Sequence, residues 1–128
     1  MRWLATIVGA LHGRTPVELV IDNDGVFLFH RAHPRDRAAD DVLELRAAET
    51  EVLERMLAEH IDNRWVPEGA IDHVVLRERK LAALSNEKAT LTILTTDGDE
   101  LRIFLVSPKQ VDPARAAFRD MLGARFEG

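Results

Sequence analysis

Residues 89–106, ATLTILTTDGDELRIFLV, constrain the fold more than any other stretch of the chain. Leu91 and Ile93 alternate with Thr90 and Thr92. Beyond Asp97-Gly98, Leu101, Ile103 and Leu105 alternate with Glu100, Arg102 and Phe104. A period of two places each set on one face of a sheet. Asp-Gly predicts a type I′ turn, in which both central residues take positive φ. A lone two-stranded hairpin is marginal in water, so more strands or a helix must cover its apolar face.

Earlier parts of the chain supply strands. Residues 3–10 are an apolar run ended by Gly9 and the cluster Gly13-Arg14-Thr15-Pro16. Val17, Leu19 and Ile21 alternate with Glu18 and Asp22. After Asp22-Asn23-Asp24-Gly25 the run 26–30 returns, which reads as a hairpin with the same turn chemistry as the later one. The loop 30–37 contains Pro34, which holds His33 out of helical geometry. A helix is expected from Asp40 or Asp41, whose carboxylates suit free helical N–H groups. Ala38, Val42, Leu45, Ala48, Val52 and Met56 form its apolar stripe, widened by Leu53 and Leu57. Residues 42–47 also alternate, so a strand there followed by a shorter helix capped by Thr50 is the competing reading.

Asp62-Asn63 ends that helix, and residues 65–69 make a bend. A strand is predicted over 71–79, and a short apolar run over 81–84 precedes the polar turn 85–88. Near the end of the sequence, Asp112 as cap and Pro113 at the first helical position predict a second helix. Ala114, Ala117, Phe118, Met121 and Leu122 share its apolar face. Gly123 can terminate it, or Arg125 and Phe126 can extend it by a turn.

The 128 residues suit a single domain spanning 1–128, large enough to bury a core without covalent staples. A net charge of −5 argues against a surface that is basic throughout, and with it against nucleic acid as partner. The absence of cysteine excludes disulfides, thiolate zinc sites and a thiol nucleophile. It also suits a reducing compartment, and a cytoplasmic location is the expectation. Met1-Arg2 before an apolar run is similar to a short signal sequence, but it lacks an A-x-A cleavage site. That run is too short to span a bilayer, and a first strand is the expectation. No other stretch is long enough for a transmembrane segment.

Val66-Pro67, the strand from Ile71, the hairpin across Asp97-Gly98 and the helix 113–122 together resemble a bacterial pleckstrin-homology-like (PH/GRAM-type) domain. The resemblance is one of pattern and covers about 65–122. It implies an α+β fold: a bent antiparallel sheet or partly open barrel of about six or seven strands. A C-terminal helix would cap the open end through Phe118, Met121 and Leu122, and the helix between strands would be an insertion. Phosphoinositide-binding members carry a basic first hairpin loop. Here that loop, 12–16, holds the single arginine Arg14. What the resemblance implies is a binding scaffold, and fold alone does not fix function.

Two constellations share the loop after residue 29. His30 and His33 lie three apart with Asp36 nearby, a set that could hold zinc and activate water for hydrolysis. Arg31, Arg35 and Arg37, with the same histidines, form an anion site suited to phosphate, carboxylate or a membrane surface. H-x-x-H on a loop crowded by arginines and Pro34 is a weak metal signal, and a solvated loop explains the same residues more simply. Asp22 and Asp24 beside Gly25 are similar to a calcium loop, but Val26 and Phe27 stand where ligands should follow. No nucleophile elbow or phosphate-binding glycine loop occurs.

The expectation is therefore a small binding or interaction module, not an enzyme, with no cofactor or metal. It would recognise a protein partner or self-associate, with Val52, Met56 and Trp65 as interface candidates. Peripheral membrane binding through the arginine loop and hydrolysis at His30, His33 and Asp36 are the alternatives.

Overall fold

A computed structural model of the chain describes residues 3–30, 58, 62–78, 89–105 and 107–128. Apart from Ala58 and its expected end at Asp62-Asn63, the helix expected from Asp40 or Asp41 lies outside the described residues, as do its strand alternative and the run 81–84. Within them the protein is an α+β structure of eight strands and one α-helix.

Strands β1 (Trp3–Leu11), β2 (Thr15–Asp22), β3 (Gly25–His30) and β4 (Arg64–Pro67) form one antiparallel meander. Strands β5 (Ile71–Glu78), β6 (Ala89–Thr95) and β7 (Glu100–Leu105) form a second. β1 joins them by pairing with β7 at Ala10↔Phe104 and Leu11↔Ile103. After helix α1 (Val111–Leu122), the two-residue strand β8 (Phe126–Glu127) pairs in parallel with β5. The order is β4-β3-β2-β1-β7-β6-β5-β8, an open sheet. This corrects the expected six or seven strands, and the sheet does not close into a barrel.

Bending follows from connectivity. β4 and β5 stand far apart in that order, yet only the 3-10 turn Glu68–Ala70 separates them in the chain. The sheet must curl until they meet. At this corner the Glu68 N–H donates to Asp24 O at 2.7 Å, and the Thr96 N–H donates to Ala70 O at 2.9 Å. The β2–β3 and β6–β7 turns are thus tied to one linker. Arg125 adds a clasp, donating to Ile71 O at 2.7 Å and Glu68 O at 3.3 Å, and pairing with the Glu68 carboxylate.

The core lies inside the curl. Alternate residues from both meanders fill it: Ile7, Leu19, Ile21 and Leu28 from the first, Val74, Leu91, Ile93, Ile103 and Leu105 from the second. Over most of its length β1 diverges from β7, and α1 packs against β1, β2, β5 and β8 beside that gap. Ala114, Ala117, Phe118 and Leu122 are buried, as the periodicity predicts, Val111 joins them, and Met121 is half-buried. Gln110 fills one N–H that the missing β1–β7 ladder leaves: its side-chain oxygen accepts from Val8 N at 3.1 Å.

Three local expectations are corrected. In the β6–β7 turn Gly98 has φ 94°, while among the described non-glycine residues only His12 has positive φ. Asp97 therefore does not take the type I′ geometry. The Gly98 N–H donates to Thr95 O at 3.1 Å and the Thr95 N–H to Asp99 O at 2.9 Å, a three-residue loop closed by one left-handed glycine. The β2–β3 turn differs from it, with a two-residue loop, Asn23-Asp24, closed by the Asp22 side chain. That carboxylate accepts from Asp24 N at 2.7 Å and from Gly25 N at 3.0 Å. Finally, α1 begins at Val111, following a 3-10 turn (Pro108–Gln110) that Ser107 caps by accepting from Lys109 N. Asp112 is not the cap. Pro113 sits third in the helix, where its missing N–H still costs no helical bond. Gly123 ends the helix with φ 58°, and Phe126 leaves it to become strand.

Candidate interaction surface

Of the residues singled out in the sequence, His30 and Trp65 are described, and they lie on opposite faces of the sheet. His30 ends β3 in register with Val17, and its N–H donates to Asn63 Oδ1 at 2.5 Å. The alternation that puts Val26 and Leu28 in the core puts His30 on the same side. Trp65 pairs with Phe27 across β3 and β4, and their ring centroids are 4.3 Å apart. Phe27 in turn stacks with Phe29 at 5.9 Å. Arg31, His33, Arg35, Asp36, Arg37, Val52 and Met56 lie outside the described residues. Among the described residues no group of three metal-ligating side chains converges, and no helix is long and apolar enough to cross a membrane.

The outer faces of the two meanders differ in burial. On the first, Glu18, Val20, Asp22, Phe27 and Phe29 are all buried, so β2 and β3 are covered on both sides. The carboxylate of Asp22 is held above the ordinary range by burial, which outweighs the lowering effect of the two turn N–H donors. On the second meander the outer face remains partly accessible. Its register sets Val75 beside Thr92 and Arg102, Thr90 between Arg77 and Phe104, and Leu94 between His73 and Glu100. Val75, Leu94 and Phe104 are half-buried there, and Arg77, Glu100 and Arg102 are exposed.

This face presents three apolar side chains spaced by threonines and rimmed by charge. Arg102 pairs with Glu100 at 3.0 Å, and His73 with Asp72 at 2.6 Å. Strand alternation alone separated Phe104 from the buried set in the sequence. The same alternation sets Leu94 with Thr90 and Thr92, whereas Val75 was hidden between the core residues Val74 and Leu76, and only the β-bulge between Ile71 and His73 settles the β5 register. No protein-family model, curated protein or solved structure matches the chain.

Proposed function

We propose that the protein is a small PH-like interaction module of the cytoplasm, a binder and not a catalyst, which recognises a protein partner or a second copy of itself. The observation that carries this reading is the outer face of β5–β7. Val75, Leu94 and Phe104, spaced by Thr90 and Thr92 and bordered by Arg77, Glu100 and Arg102, give this face the mixed apolar and polar character of an interface. Two antiparallel meanders with a C-terminal helix packed against both support the PH-like part of this reading.

The test uses the tagged full chain expressed in its native host, with captured complexes identified by mass spectrometry and sized by light scattering. A stoichiometric partner or a homodimer is expected. It should be lost from the Val75→Glu/Leu94→Glu double variant while far-ultraviolet circular dichroism stays unchanged. A lone monomer, or a complex that survives the double variant, rules the reading out for this surface.

A further inference from the structure

The β8 strand occupies a groove between the edge of β5 and helix α1. Its hold there is slight. Backbone pairing extends over Val74↔Phe126 and Val75↔Glu127 alone, and it is parallel, the weaker ladder per residue. Phe126 is only half-buried: its ring stacks on Phe118 at 6.2 Å, with the Arg119 guanidinium 5.9 Å from its centroid. Glu127 pairs with Arg77 at 3.6 Å, both side chains being more than two-thirds exposed. Such a pair is heavily screened. Arg119 Nη2 donates to Gly128 O at 3.1 Å.

The groove itself is firmly built. Phe118 is fully buried on α1, and Val74 and Leu76 are core residues of β5. Arg115 bridges the Glu78 carboxylate and Asp112, tying the far end of β5 to the helix. Arg125, just before β8, is bonded to Ile71 O and Glu68 O, so the chain is anchored at the point where β8 begins. Among the described residues, Arg77 and Arg119 find their polar partners on residues 127 and 128.

We infer that this groove is a peptide site that residues 126–128 occupy in cis. An extended segment of a partner, with an aromatic residue followed by an acidic one, takes their place as a parallel strand on β5. The ladder on β5 supplies affinity without regard to sequence. Selectivity comes from the Phe118 shelf for the aromatic ring and from Arg77 for the carboxylate. Because the occupant belongs to the same chain, it competes at high local concentration, and the site is largely closed until the partner is abundant or β8 is weakened. The inference rests on the binding-module reading but concerns the groove beside β5, which meets the outer face of β5–β7 at Val75 and Arg77.

Fluorescence anisotropy with a labelled peptide carrying Phe-Glu-Gly between Gly-Ser flanks tests it on the full chain. The Phe126→Ala chain should stay folded by circular dichroism and bind the peptide at least about tenfold more tightly than wild type, since the internal competitor is weakened. Adding Arg77→Glu should reverse the charge preference, favouring a Phe-Lys-Gly peptide. If Phe126→Ala unfolds, the ring belongs to the core and the inference falls. It falls equally if the folded variant binds no peptide or keeps its charge preference. Those failures leave the outer-face reading standing, because that reading is judged by the Val75→Glu/Leu94→Glu capture.

Discussion

The β2–β3 turn concentrates much chemistry in one carboxylate. Asp22 is 1% exposed and accepts from two turn N–H groups. Burial raises its pKa, so the folded chain keeps this proton to higher pH than the unfolded chain does. The ionised group then costs stability at neutral pH, and the cost fades as pH falls towards the unfolded value of roughly 4. Asp22→Asn retains an oxygen for both N–H donors and removes the buried charge. Urea unfolding should find it more stable than wild type at pH 7, with the gap narrowing at pH 4.5. Asp22→Ala strands the donors instead and should lose about 1–2 kcal/mol. Asp97 has the opposite sign, because the Thr95 hydroxyl bonds its ionised form and lowers its pKa. Its contribution is present above the unfolded pKa and is lost as pH falls through the folded one. The neighbouring Gly98 isolates backbone cost from packing: φ is 94° and nothing lies within 4 Å of an added Cβ. Gly98→Ala should therefore cost about 1 kcal/mol, the penalty of the left-handed conformation alone.

Helix α1 holds its place through one large side chain. Phe118 is fully buried and stacks on Phe126. Phe118→Ala should remove about 3–5 kcal/mol, read as a shift of the urea midpoint with circular dichroism as probe. This helix and the β6–β7 hairpin were the elements most legible in the sequence, because their apolar positions recur at clean helical and strand periods. Their ends were less so. Asp112-Pro113 carries a strong start signal, but the helix begins two residues earlier, at Val111, directly after the 3-10 turn that Ser107 caps, and Pro113 fits either frame. β8 left no signal, since two residues have no period to read. Asp97-Gly98 suited a tighter turn, but Thr95 and Asp99 bond each other, and the loop takes three residues instead of two. In the candidate surface, Phe104 and Leu94 were separable by alternation, whereas Val75 depended on a register that local residues do not encode.

At the scale of the molecule, two meanders share little backbone pairing. β1 and β7 meet at two residue pairs, and further links are the His12 N–H to Arg102 O bond, the Arg64–Asp99 pair, α1, the Gln110–Val8 bond and the corner clasped by Arg125. Gly9 lies where β1 and β7 come together. A Cβ there would sit 2.8 Å from Phe104 O and 2.6 Å from Ile103 Cγ2, so one strand must shift against the other. Gly9→Ala should cost about 1–3 kcal/mol, as overpacking does, and the strain falls on the contact that couples the two halves. Both tryptophans, Trp3 and Trp65, stand in the first meander, on β1 and β4. Their fluorescence thus reports that half, while far-ultraviolet circular dichroism reports both. In wild type the two urea transitions should coincide, because the core is shared across the meanders. In Gly9→Ala they should separate, with the halves losing structure at different urea concentrations. Coincident transitions at a lowered midpoint would mean that the common core and α1, and not the β1–β7 junction, make the fold a single cooperative unit.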